Sequence, residues 1–400
     1  RRLQLGDPEG LVREALSACP LKGCVDEILK RYFASGGKAS ESAFRATPLP
    51  NIGQQFAAKL TMVGNFVEVY LAKRGHPGRI GLNLLEKIQP PTLASLYGAM
   101  LAGVDCVLMG AGIPRSIPRV LDELAEGRAT ELKMDVTGAS REDDFKDRFD
   151  PADFMPAGNS LKRPAFIAIV ASTVLAKTMA KRAEGQVDGL VVEGPPAGGH
   201  NAPPRGPLQL NEKGEPIFGE RDHADLAEIR KLELPFWLAG SFGRPGRLAE
   251  AKALGAAGIQ AGTAFAFCEE SGLRAEYKAS TIAKSRLQQV EVFTDPNASP
   301  TGFPFKVLKA SGTLSDTEVY ESRQRVCDLG YLRTAYRRED GKVGYRCPAE
   351  PVDDYLRKGG KFEDTVGRKC VCNGLMSAIG LEQQRDGQTE PTLLTAGIDA

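Results

Sequence analysis

From residue 60 onward, short apolar runs alternate with stretches whose apolar residues recur at three- and four-residue spacing. The runs Leu60–Val63 (LTMV), Arg79–Leu82 (RIGL), Cys106–Met109 (CVLM), Glu131–Val136 (ELKMDV), Phe166–Val170 (FIAIV), Gly189–Val192 (GLVV), Pro235–Ala239 (PFWLA) and Gly258–Ala261 (GIQA) read as strands. Stretches such as PTLASLYGAMLAG and RPGRLAEAKALG read as helices, several of them stopping at glycine. Continuous apolar strands suit a sheet covered on both faces, which is the parallel arrangement. Eight such units over about 225 residues have the size of a (β/α)8 TIM barrel, with a doubly wound open sheet as the competing arrangement. Residues 1–50 read as an N-terminal helical cap, 51–290 as the barrel and 291–400 as a C-terminal extension that contains cysteines. A charged insert, Ser140–Arg163, precedes the fifth strand, and its REDDFKDRFD run reads as a solvated loop.

Composition narrows the class. Fifty-two basic and 51 acidic residues leave a formal charge of +1, which gives no general pull toward nucleic acid or a membrane surface. No apolar run approaches the roughly 20 residues that span a bilayer. The opening RRLQLGDPEG lacks a signal-peptide core, and eight cysteines without a dense framework fit a reducing compartment, so a cytoplasmic protein is expected.

The strand exits are small and polar. They read Gly81-Leu82-Asn83, Gly110-Ala111-Gly112, Glu193-Gly194 with Ala197-Gly198-Gly199-His200, Gly240-Ser241-Phe242-Gly243, and Gly262-Thr263. In a barrel, chemistry sits at these exits, and those after the last two strands commonly build a phosphate site from backbone N–H groups. Glycine also serves ordinary tight turns, so no single position is decisive. His200 is one of three histidines. On a glycine platform it suits removal of a proton from an acidified carbon, or a structural hydrogen bond at a strand end. His76 and His223 read as turn and helix-start residues.

The stretches VDGLVVEGPPAGGH and PFWLAGSFGRPGRLAEAKALGAAGIQAGTAFAFCEESG resemble the nitronate monooxygenase (2-nitropropane dioxygenase) family, which overlaps the FMN-dependent enoyl-acyl-carrier-protein reductases. The resemblance covers roughly residues 60–285. It implies an FMN-binding (β/α)8 barrel and an oxidoreductase acting on an alkyl nitronate or similar carbon acid, with His200 as base. It also implies an FMN site built from Gly64, Asn65, Asn83, Ser172, Glu193, Gly198, Gly199, Gly240, Ser241, Gly262 and Thr263. The alternatives it leaves open are an NAD(P)H-dependent reductase of an enoyl thioester and an RNA-directed flavoenzyme. The expected partner is a small-molecule or acyl-thioester substrate; the oligomeric state is not indicated. The chain departs from the family pattern at MVGNF (Gly64, Asn65), at Asn201–Gly206 and in the turn AGSFG, which puts the substrate in question more than the flavin.

Cys327, Cys347, Cys370 and Cys372 lie in the extension. Four thiolates can hold a structural zinc or an iron–sulfur cluster, but a Cys-x-Cys pair with two distant singles also fits four unligated thiols. Tyr331, Tyr336 and Tyr345 stand among basic residues there, a pattern that can bind RNA, yet acidic residues are mixed in as on a solvated surface.

Overall fold

The computed structural model describes residues 1–155 and 160–398. Its helices include α1 (Leu11–Ala18), α2 (Lys22–Tyr32), α3 (Gln55–Ala72), α4 (Thr92–Leu101) and α5 (Ile117–Ala125). Its strands include β1 (Gly81–Leu85), β2 (Cys106–Gly110), β3 (Thr130–Lys133), β4 (Val136–Thr137), β5 (Lys146–Phe149), β6 (Ala165–Val170), β7 (Gly189–Glu193), β8 (Phe236–Ala239), β9 (Gly258–Gln260), β10 (Val292–Asp295), β11 (Phe305–Leu308) and β12 (Thr334–Arg337). The chain divides into two compact units. One holds Arg1–Ile167, Arg182–Val187 and Asp328–Tyr345; the other holds Ala168–Lys181, Asp188–Cys327 and Arg346–Ala400.

In the first unit, α3 packs on α1, α2 and α4. Two expected strands are corrected here. Leu60–Val63 lies inside α3, because the apolar positions Met62, Val63, Phe66, Val67 and Val69 continue one helical stripe rather than ending at Gly64. Glu131–Val136 breaks into β3, which pairs antiparallel with β5, and β4, which pairs with β12. The segment expected as a solvated loop therefore supplies a strand. Its K-D-R-F alternation buries Asp147 and Phe149, while residues 156–159 of it lie outside the described residues. β1 and β2 pair in parallel, Gly81 opposite Cys106 and Leu85 opposite Gly110.

In the second unit, β7, β8 and β9 pair in parallel, with Glu193 opposite Ala239 and Ala239 opposite Gln260. All three strands thus end at one level. β10 and β11 form an antiparallel pair. Leu308, Ala310, Ala378, Leu394 and Ala396 make a buried apolar cluster, so Leu394 and Ala396, near the end of the described chain, are core. The α/β class stands. The described residues do not form eight parallel barrel strands, because the first and fourth expected ones are a helix and a hairpin. No helix among the described residues is long and apolar enough to cross a membrane.

Candidate active site

The exits of β7, β8 and β9 border a cavity of about 480 Å³, within the range of small-molecule and cofactor sites. Gly198, Gly199, Gly240, Ser241, Gly262, Thr263 and Glu193 all line it. The turn after β8 is set by two consecutive left-handed residues, Gly240 (φ 94°) and Ser241 (φ 61°). For Ser241 that conformation is unfavourable, and such strain concentrates at ligand sites. Arg247 buttresses the turn: its Nε donates to the Ser241 carbonyl at 3.4 Å, and its guanidinium lies 4.8 Å from the centre of the Phe242 ring. A Cβ on Gly262 would have no heavy atom within 4 Å. This turn is therefore open, as a cradle for a ligand must be.

The chain's own C-terminal segment completes the cavity. Thr395, Ala396 and Gly397 line it. The Gly199 N–H donates to Thr395 Oγ1 at 3.0 Å, and the Gly397 N–H donates to Thr263 Oγ1 at 2.8 Å. Accepting that bond leaves the Thr263 hydroxyl hydrogen for another partner. Ile398 N–H closes the segment on the Pro196 carbonyl at 3.2 Å. Nothing in the run LLTAGID marks this role beyond its small residues.

His200 follows the glycines but lines neither this cavity nor its neighbour. Its Nε2 is 2.7 Å from Ser299 Oγ, which is 2.9 Å from Thr301 Oγ1. The ring stands edge-on to Phe305, 4.8 Å between centres. Burial lowers its pKa to about 4, so the imidazole is neutral at pH 7. Ser299 is fully buried, and the sequence reading did not single it out.

A buried lysine holds the histidine loop from inside. Lys306 Nζ donates to the Asn201 Oδ1 at 2.7 Å and to the Pro195 carbonyl at 2.8 Å, and its backbone N–H donates to the Gly199 carbonyl at 2.9 Å. Asn201 in turn donates from Nδ2 to the Ala197 carbonyl at 3.0 Å. Burial brings Lys306 down to about 8, with Glu215 and Glu193 pulling it back up. Burial pushes the Glu193 carboxyl up to about 7, with Lys306 drawing it down. Of these two groups with shifted pKa values, Glu193 lines the cavity and Lys306 lies behind the loop, lining neither cavity. Glu193 also lines a smaller cavity of about 150 Å³ with Ser172, Asn201 and Arg205. Ser172 Oγ accepts from the Leu175 N–H at 3.2 Å, at the start of the helix that follows β6.

The remaining expected site residues stand differently. Gly64 and Asn65 are mid-helix in α3, not at a strand exit, and the Asn65 amide donates to the Thr61 carbonyl at 2.9 Å. Asn83 is mid-strand in β1, opposite Leu108. Among the described residues, no group of three or more His, Cys, Asp or Glu side chains is arranged to hold a metal ion. The expectation of zinc or an iron–sulfur cluster on Cys327, Cys347, Cys370 and Cys372 thus finds no support among the described residues. Burial raises the pKa of Cys347 and Cys370. His76 accepts the Gly78 N–H on Nδ1 at 3.0 Å, a turn role.

Residues 157–309 match the family model of nitronate monooxygenase. The resemblance read from AGGH and the glycine turns is to that same family. His200, Gly240, Gly262, Ser299 and Lys306 all fall in the matched segment. Among solved structures, the chain is similar to a FabK mutant from Thermotoga maritima, with 21% identity, a TM-score of 0.40 and 63% of each chain covered. It is also similar to the enoyl reductase domain of MlnA from the macrolactin biosynthesis cluster of Bacillus amyloliquefaciens. There the identity is 14% and the TM-score 0.36, with 78% of this chain and 63% of that one covered. The chain thus spans less than two thirds of either structure. No curated protein matches it.

Proposed function

We propose that this chain is an FMN-dependent oxidoreductase of the nitronate monooxygenase kind, oxidising a carbon acid of the alkyl nitronate type. The observation that carries this reading is the pair of turns, the left-handed Gly240-Ser241 and the open Gly262-Thr263, on one cavity lined also by the Gly198-Gly199 platform. Gly240, Ser241, Gly262 and Thr263 would hold the phosphate end through backbone N–H groups and hydroxyls. Bound FMN would supply the electron acceptor. His200 acts as the base. Its neutral form is the one that accepts a proton, and the neighbouring Ser299 hydroxyl fixes the ring. Lys306 keeps the loop that carries His200 in place. On this reading the catalytic module extends past residue 290 to include Ser299, Lys306 and Thr395–Gly397. The charge balance and the eight cysteines without a dense framework fit a cytoplasmic enzyme.

The test is made on the purified chain. It should be yellow, release FMN on denaturation and take up oxygen with an alkyl nitronate. A protein that cannot be loaded with FMN would end the flavoenzyme reading. Oxidation of NAD(P)H that depends on an enoyl thioester, without nitronate turnover, would transfer the site to reductase chemistry. His200→Asn should keep the flavin and lower turnover by about 10²–10⁴, the usual worth of a positioned base.

A further inference from the structure

The larger cavity offers few groups that can take up or release a proton. Among the described residues that line it, only Glu193 and Arg244 are ionisable, and a guanidinium keeps its proton. The smaller cavity adds Arg205 and Asp222. Asp222 is committed to the backbone, Oδ1 accepting from the Arg205 N–H at 2.8 Å and Oδ2 from the Gly219 N–H at 2.7 Å. His200 and Lys306 line neither cavity. Glu193, the last residue of β7, lines both, and is the acid the two cavities have in common. Lys306, on β11, acts on its charge, and Glu215 acts on Lys306. Burial outweighs Lys306 and brings the Glu193 carboxyl to about 7, so at neutral pH a share of it carries a proton. In that form it donates an O–H, which a carboxylate cannot do. Removing a proton from a carbon acid puts negative charge on the oxygens of its nitro or carbonyl group. Away from bulk water such charge needs a donor, and a neutral carboxyl is one, whereas an ionised carboxyl repels it.

We propose that Glu193 is the hydrogen-bond donor to the anionic oxygen of the substrate, and that it binds a small planar oxyanion such as an alkyl nitronate only in its protonated form. The inference rests on the reading of this cavity as the site of carbon-acid oxidation. It adds to His200 a second group, one that holds the product of proton removal. When the anion meets the ionised carboxyl, one proton comes from solvent and an O–H bond forms on Glu193; no electron moves. Affinity for the anion is therefore full below about pH 7 and falls as pH rises through it.

The probe is propionate, in which a carboxylate carbon stands where the nitronate of nitroethane has nitrogen. It is titrated calorimetrically into the FMN-loaded protein, with loading read from flavin absorbance. It should bind saturably and about 100-fold more tightly at pH 6 than at pH 9, as linkage to one proton near pH 7 requires. Glu193→Gln keeps a donor at every pH. It should bind propionate nearly as well at pH 9 as at pH 6, and so more tightly than the parent at pH 9. Absence of saturable binding, or pH-independent binding by the parent, overturns the proposal. So does a pH dependence that survives Glu193→Gln, which would assign the proton to Lys306. If Glu193→Gln fails to fold by circular dichroism, Glu193→Asp takes its place and should move the midpoint of the pH dependence; an unmoved midpoint overturns the proposal. A chain that cannot be loaded with FMN ends the flavoenzyme reading, and the same titrations on the flavin-free chain then decide for Glu193 alone.

Discussion

Gly262 and Gly198 border one cavity, yet their surroundings are opposite. A Cβ on Gly262 would meet nothing within 4 Å, whereas one on Gly198 would come 2.8 Å from the Ala396 carbonyl carbon and the Gly397 nitrogen. The first glycine leaves room for a ligand; the second leaves room for the chain itself. His200, two residues on, is likewise packed by the protein, against Ser299 and Phe305. The turn after β9 is thus the receptive side of the cavity. The histidine loop is its prebuilt side, held by the C-terminal segment and by Lys306. A glycine in a family motif can serve either purpose, and only its neighbours tell which.

The largest separation of the two sides should come from Gly262→Leu. The side chain enters open space, so the melting temperature should stay near that of the parent while flavin retention is lost, as read by absorbance after desalting. Loss of folding instead would show that the turn is as tightly packed as Gly198. Gly198→Val should do the reverse. Overpacking against Ala396 and Gly397 should lower unfolding stability by about 1–3 kcal/mol in a urea titration. A variant as stable as the parent would mean that the C-terminal segment moves aside freely.

Ser299→Ala tests the prebuilt side at the histidine. It removes the partner of a buried imidazole nitrogen, at a cost of about 1–3 kcal/mol, and should lower turnover with flavin content unchanged. Unchanged turnover would separate Ser299 from the chemistry. The pH dependence of the parent adds a sign. The folded pKa of His200, about 4, lies below the ordinary 6.5. Its neutral form, and with it the base, should persist down to about pH 4, so the acid limb of kcat should fall there and not near 6.5. Between those values the unfolded chain takes up a proton that the fold does not, so this contribution to stability is complete above 6.5 and lost as pH falls toward 4. An acid limb near 6.5 would show that His200 is solvated during turnover. The smallest effect belongs to Thr395→Val. It removes the acceptor of the Gly199 N–H and should cost about 0.5–1.5 kcal/mol, measurable in the same urea titration.

Local pattern made β7, β8 and β9 legible, because GLVV, PFWLA and GIQA are short apolar runs closed by glycine, and strand exits follow directly from strand ends. The glycines and hydroxyls of the cavity were readable for the same reason. What the pattern does not carry is the identity of distant neighbours. LTMV is apolar in a helix as in a strand, and only its packing in α3 against α4 decided the matter. ELKMDV became a hairpin because Lys146–Phe149 lay opposite it. Ser299, Lys306 and Thr395 are ordinary residues in sequence. They matter because β11, the loop before it and the C-terminal segment bring them, from about 100 to 200 positions away, against Gly199, His200 and Asn201. A residue's chemistry is written in its side chain, but the burial that makes His200 neutral and Lys306 weakly basic is a property of what surrounds them.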